Sequence, residues 1–236
     1  MSTQRTSCAL SFSGGKDSML ALDRAMRQGW PIKYLLTMYD EASQRVRFHG
    51  IRKELIQAQA DALSIPLLAH PTQPETFEQV FLSALTDLRA RGVDTIIFGN
   101  IHLADVRAWY EERTTGHGFQ HLEPLWGEAP ALLVREVMQR GYHAILTSIE
   151  LARSREEWLG QPLSSALVGE FEQAGIDACG ERGEYHTFVT NGPLFQHPIP
   201  VTLGQTVTMS GFALIEVTQA PSNPEYAQGH SLKDAH

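Results

Sequence analysis

The sequence predicts an α/β protein: a doubly wound parallel five-stranded sheet with a smaller α+β C-terminal domain. Three observations predict it. Short apolar runs alternate with helical periods through the first half, the pattern of a parallel sheet covered by helices on both faces. A glycine-rich loop, residues 13–18, follows the first apolar run directly. The second half loses this alternation and is punctuated by Pro198, Pro200, Pro221 and Pro224, which marks loop-rich structure. The boundary is placed near Gly127, giving units 1–127 and 128–236.

Each element has its own signal. Residues 7–12 form a short apolar strand, and residues 17–28 an amphipathic helix closed by Gly29 and Pro31. Residues 32–39 read as a second strand. Residues 51–63 keep a helical period that ends before Pro66, after which 67–69 suit a third strand. Residues 75–91 are a long helix stopped by Gly92, and Thr95-Ile96-Ile97-Phe98 is a fourth, β-rich strand ending at Gly99. Residues 105–114 are helical, 116–118 break that helix, and 121–126 read as a fifth, edge strand. A helix over 131–140 and a strand over 144–149 follow. From 206 to 219 the pattern is strand-like with a turn at Ser210-Gly211, and the last dozen residues read as frayed. Right-handed crossovers place a ligand at the carboxyl edge of the first sheet, above the glycine loop.

At 236 residues the chain can build a substantial core, and 42% hydrophobic with 19% charged residues is ordinary for a globular protein. No apolar run has the length of a membrane span, and the N-terminus lacks a signal-peptide pattern. Cys8 and Cys179 carry no metal spacing and give no disulfide framework, which fits a reducing cytoplasm. The net charge of −8 argues against a broad nucleic-acid surface. Arg45, Arg47, Arg52 and Lys53 nevertheless cluster after the second strand, either as a solvated face or as contacts for a phosphate or substrate.

The loop itself reads Ser13-Gly14-Gly15-Lys16-Asp17-Ser18. Glycines let the backbone turn tightly and present N–H groups, and the helix that follows aims its positive end at the same spot. With a lysine added, this is a cradle for phosphate. It is not a Walker A loop, because Leu10 and Asp17 occupy positions that pattern gives to Gly and to Ser or Thr. A turn merely capped by Asp17 or Ser18 is the plainer alternative.

The other unusual segment is residues 179–189, Cys-Gly-Glu-Arg-Gly-Glu-Tyr-His-Thr-Phe-Val. Two glycines interleave with Glu181 and Glu184, and His and Thr lead into an apolar strand. Such a turn beside a buried strand suggests a site in which the two carboxylates hold Mg²⁺, position a substrate or accept a proton. A solvated hairpin turn is the alternative.

Residues 13–18 resemble the PP-loop, SGGxDS, of the ATP pyrophosphatases. Together with Gly180-Glu181-x-Gly183-Glu184-Tyr185-His186-Thr187, they resemble the diphthine–ammonia ligase family and its bacterial relatives. Arg47-Phe48-His49-Gly50, Phe98-Gly99-Asn100-Ile101, the Arg107 to Glu111 helix and Pro124 to Gly127 carry the likeness across residues 8–195. It is closer to the family's bacterial branch. One departure is Asn100, where relatives commonly carry Asp.

The resemblance implies a sheet of the adenine nucleotide alpha hydrolase type and an ATP-dependent amide ligase. A carboxylate would attack the α-phosphate, pyrophosphate would leave, and ammonia would displace AMP. It implies that Ser13, Gly14, Gly15, Lys16, Asp17 and Ser18 hold the phosphates, with Asp17 on Mg²⁺. Thr37 and Met38 would meet the adenine, with His49, Gly99 and Asn100 lining the same site. Lys16, Asp17, Glu181 and Glu184 would be the catalytic set. ATP and ammonia are the implied partners, with an unidentified carboxylate acceptor that is a small molecule or a protein side chain; homodimerisation is left open. Two other readings share the fold. A sulfur transferase acting on RNA would need a persulfide cysteine, for which only Cys179 is placed. A non-catalytic nucleotide binder needs none of the acids.

Overall fold

The computed structural model describes residues 7–209 and 211–221. The expectation for the last dozen residues, with Ser210 and Pro224, lies outside them.

The first strand, β1 (Cys8–Ser11), is central because its side chains have no polar face to offer water: Cys8, Ala9 and Leu10 are all fully buried. It pairs in parallel with β2 (Ile32–Asp40) on one side and β5 (Thr95–Ile97) on the other, Leu10 lying beside Leu35 and Ile97. Outside them, β4 (Leu67–Thr72) extends β2 and β6 (Gln120–Leu122) extends β5, also in parallel. The parallel order is therefore β4-β2-β1-β5-β6, five strands as the alternation predicts. A two-residue strand, β3 (Arg45–Val46), returns antiparallel to Tyr39 and Asp40, making a sixth.

Successive side chains of one strand point to opposite faces, and the helices sort accordingly. Leu10, Leu35 and Ile97 share a core with α1 (Lys16–Arg27) and α2 (Lys53–Leu63). Ala9, Leu36 and Ile96 share another with Phe81, Leu85 and Leu88 of α3 (Phe77–Ala90). Helices thus cover both faces. The helix α4 (Ala104–Gly116) buries only Thr114 and lies along the rim.

The second sheet is antiparallel, in the order β8-β7-β10-β9: β7 (His143–Glu150), β8 (Tyr185–Asn191), β9 (Val201–Met209) and β10 (Phe212–Gln219). Two helices, α5 (Pro130–Gln139) and α6 (Ser165–Ala174), accompany it. The α1/α2 core continues without a break into Leu146, Phe188 and Ala213 of this sheet. That continuity brings β8 against the start of α1.

Several expectations need correction. The strand expected over 121–126 is only three residues long, because Pro124 has no N–H and the chain turns, with Trp126 N–H donating to Glu123 O. The helix expected over 75–91 opens with a separate 3₁₀ turn, Pro74–Thr76. Two elements were not expected, β3 and α6. The latter is capped by Ser164, whose hydroxyl accepts the Leu167 N–H at 3.2 Å, and ends in Gly175 at φ 70°.

Candidate active site

At the carboxyl end of the parallel strands lies a cleft of about 940 Å³. Ser13, Thr37, Met38, His49, Asn100 and Glu181 all line it, together with Arg47, His186 and an aromatic wall of Phe77, Trp109 and Tyr110. Six sequence-predicted positions, drawn from five separate segments, thus converge on one space.

The glycine-rich loop, residues 13–18, is held from behind. Gly14 adopts φ 79°, and a Cβ there would stand 2.4 Å from Gln59 Oε1, so this position takes glycine for both conformation and space. Its carbonyl accepts the Val189 N–H at 3.0 Å and the Gln59 amide at 3.0 Å, while Gln59 also donates to Val189 O at 2.7 Å. The Lys16 N–H, first of the helix, donates to Thr187 Oγ1 at 3.1 Å. Ser18 Oγ donates to Gly15 O at 3.1 Å, closing the loop. Gly99 ends β5 so close to α1 that a Cβ would lie 3.0 Å from the Asp17 carbonyl. Residues 13–18 and 185–189 are therefore stitched together across more than half the chain.

Three of the four expected catalytic groups, Lys16, Asp17 and Glu184, are not among the residues lining the cleft. Lys16 is 2% exposed; its ammonium donates to Asp17 Oδ2 at 2.9 Å and to the Cys179 carbonyl, and sits 4.7 Å from the Tyr185 ring centre. Burial alone would lower its pKa, but Asp17, Tyr185 and Cys179 raise it above the usual lysine value. The lysine is a brace between the loop and residue 179 rather than a lining group, because the neighbouring carboxylate and carbonyl offer it shorter contacts than the open cleft. Glu184 is likewise 2% exposed; its Oε1 accepts from Arg153 at 3.1 Å and from the Asp177 N–H at 3.4 Å, on the side away from the cleft.

Glu181 does reach the cleft. Its Oε1 accepts the Ile101 N–H at 3.0 Å, placing it beside Asn100. Burial pushes its carboxyl up to about 7, reinforced by the charge of Asp17 and opposed by the Ile101 hydrogen bond. A carboxyl that titrates near neutrality is suited to taking a proton.

Asn100 has a local reason. Its Nδ2 donates to Glu123 Oε1 at 2.7 Å, and that carboxylate is 2% exposed and also takes His121 Nε2 at 3.0 Å. An ionised carboxylate only accepts, so the amide nitrogen must point to Glu123 and Oδ1 is left for the cleft. An Asp here would set two carboxylates against each other.

Other expectations resolve as follows. The Thr37 hydroxyl is committed to the Phe12 carbonyl, so this residue offers the cleft only its backbone and wall. Arg45 and Arg52 both pair with Glu216 of β10, and Lys53 lies over Tyr39, leaving Arg47 as the member of the basic cluster that lines the cleft. Cys179 is 1% exposed, donates to Pro130 O at 3.3 Å, and has its thiol pushed up by burial, the reverse of a nucleophilic sulfur. Asp17 Oδ1 is buried with no hydrogen-bond partner among the described residues, a free ligand position for a divalent cation. Among the described residues no three acidic, His or Cys side chains form a metal cage, and Asp17 is the residue that would hold Mg²⁺.

Sequence reasoning missed Gln59, Thr187 and the aromatic wall as parts of the site. Gln59 had a signal: it is a polar residue in the buried stripe of Leu55, Ile56 and Leu63. The partners of Thr187 lie about 170 residues away and left no local trace.

Comparison with known proteins agrees with this arrangement. A model of the diphthamide synthase N-terminal domain matches residues 6–120, and one of the diphthamide synthase C-terminal domain matches residues 129–220. The diphthine–ammonia ligase of Danio rerio is 26% identical over 87% of this chain and 90% of its own length. That of Bos taurus is 26% identical over 87% and 86%. A solved U34-tRNA thiolase from Methanococcus maripaludis overlays 60% of each chain at 17% identity and a TM-score of 0.39, too loosely to bear on the reaction. Two adjoining domain models and relatives matched along nearly their whole length lead to one conclusion: the chain belongs to the diphthine–ammonia ligase family, enzymes that are ATP-dependent ligases.

Proposed function

We propose that this cleft activates a carboxylate with ATP and converts it to an amide with ammonia, releasing AMP and pyrophosphate. The observation that carries the reading is the position of Glu181: a carboxylate titrating near 7 is anchored on Ile101 N–H inside the cleft that the phosphate loop borders. In this reading residues 1–127 hold the nucleotide and 128–236 supply the loop that finishes the site.

Ser13 and the backbone N–H groups at the start of α1 receive the triphosphate, where fixed donors stabilise the charge that develops on the leaving pyrophosphate. Lys16 contributes its positive field from behind while keeping residues 13–18 and 179 in register. The backbone of Thr37 and Met38 borders the base. Mg²⁺, held by Asp17 Oδ1, would offset phosphate charge as the bond to the α-phosphate breaks. Arg47 borders the space left for the acceptor carboxylate; diphthine is the acceptor in the names of the relatives. Glu181 takes a proton as ammonia attacks the acyl group, and Asn100 Oδ1 offers a second acceptor beside it. Glu184 holds Arg153 and the Asp177 backbone, and so shapes the loop without touching substrate. The thiol of Cys179, buried and donating to a carbonyl, disfavours sulfur transfer.

The test is incubation with ATP, Mg²⁺, ammonium and a panel of carboxylates including diphthine-bearing protein. AMP and pyrophosphate formed only with acceptor and Mg²⁺ support the reading; ADP and inorganic phosphate as the principal products overturn it.

A further inference from the structure

The cleft that would receive a polyphosphate is short of positive charge. Lys16 is committed to Asp17 and Cys179. Among the described residues lining the space, Arg47 is the one permanent cation, against Glu78, Asp105 and Glu181. Two histidines stand in the same wall. His49, after β3, and His186, in β8, lie 4.6 Å apart between ring centres with their planes tilted at 41°, and Phe48 is 6.2 Å from His186. The His49 ring lies against the phosphate loop, since a Cβ at Gly15 would be 2.6 Å from its Cε1.

The hydrogen bonding of His49 fixes its tautomer. Nδ1 lies 3.1 Å from the Thr187 carbonyl, which can only accept, so Nδ1 carries a proton. In the neutral ring Nε2 is then a bare lone pair beside an anion cradle, where it can meet a phosphate oxygen only after taking a second proton. His186 has no hydrogen-bond partner on either ring nitrogen among the described residues, yet both rings line the cleft.

We propose that the adjacent His49–His186 pair is a second phosphate anchor facing the glycine loop, and that seating a polyphosphate there places one proton from solvent on the pair. The proposal rests on reading the cleft as an ATP site. Two imidazolium rings this close repel, so the pair accepts one proton and titrates as a unit. The groups facing it are Lys16 of α1, Arg47 on the loop of His49, the carbonyl of Thr187 and, in the same cleft, Glu78, Asp105 and Glu181, with no carboxylate paired to either ring among the described residues. Burial holds His49 down to about 4 and His186 well below its ordinary value, with Lys16 acting in the same direction on both. The empty pair is therefore neutral at physiological pH. Polyphosphate charge raises the bound value, so binding tightens as pH falls through that bound value and levels off only near the free one.

The experiment is calorimetric titration of the full chain with Mg²⁺–ATP, without acceptor, between about pH 8 and about pH 5.5. Each point is measured in two buffers of different ionisation heat, which gives the number of protons taken up. In the wild type, uptake rises toward one on acidification, and affinity gains up to about tenfold per pH unit in that window. His49→Gln and His186→Gln each weaken binding and reduce uptake, and the double variant loses the pair's share of the uptake and of the pH dependence, leaving only what Glu181, which lines the same cleft, contributes. Wild-type binding with no proton uptake anywhere in the range overturns the proposal, as does a double variant with unchanged uptake. Histidine ring NMR of the wild type gives the same answer without substitution: rings whose titration moves up with ATP support it, and rings that do not move overturn it. Failure of the wild type to bind ATP at all overturns the ATP-site reading itself.

Discussion

Replacing Glu181 by Gln should make the protein more stable at pH 8 and less active. The native carboxyl titrates near 7 because it is buried beside Asp17, whereas in the unfolded chain it titrates near the ordinary 4.5. As pH rises from 4.5 the unfolded state sheds this proton first, so the native state binds more protons and stability falls until about pH 7. The difference, at about 1.36 kcal/mol per pH unit, amounts to about 3 kcal/mol above pH 7. Gln keeps an oxygen for the Ile101 N–H at 3.0 Å and removes the charge. Urea unfolding at about pH 8 should show the variant more stable by about 2–3 kcal/mol, a gap that closes to near zero by about pH 4.5. Turnover in the variant should drop, and the wild-type acid limb near pH 7 should vanish with it. A variant equal to or less stable than wild type at pH 8 would refute the buried-charge argument. Stability gained with full activity would leave the burial standing and remove the proton-acceptor role.

Three further outcomes follow from named contacts. Gly14→Ala combines a left-handed φ of 79° with a Cβ 2.4 Å from Gln59 Oε1 and should cost about 2–4 kcal/mol in urea melts, with nucleotide affinity reduced; a neutral effect would mean that the loop is free to relax. Lys16→Met leaves Asp17 and the Cys179 carbonyl without their cation and should destabilise by about 3–5 kcal/mol. A Met variant that is as stable as wild type but cannot bind ATP would put the ammonium on phosphate instead. Cys179→Ala should keep carboxylate-dependent pyrophosphate release, since its buried thiol donates to Pro130 O; abolished turnover in a folded variant would reopen sulfur chemistry.

The parallel sheet, the order of its helices and the phosphate loop follow from the sequence by itself, because their signals are local. Apolar runs such as Cys8-Ala9-Leu10 and Thr95-Ile96-Ile97 have no polar face to expose, and the periods of α1 to α3 commit one side of each helix to the core. Gly14 and Gly15 announce a turn through backbone conformation alone. The short strand β3 and the early end of β6 were hidden, since two-residue pairings and turns at Pro124 depend on neighbours more than on pattern. Which acid reaches the cleft and whether Lys16 does depended on tertiary structure. Glu181 and Glu184 are three residues apart and alike in sequence, yet one accepts Ile101 N–H inside the cleft and the other binds Arg153 behind it. Lys16 reads as a phosphate ligand until the Cys179 carbonyl, 163 residues away, is seen to hold it. Propensity and periodicity are properties of a few consecutive residues. The charge state, exposure and partners of a side chain are set by whatever the rest of the chain packs against it.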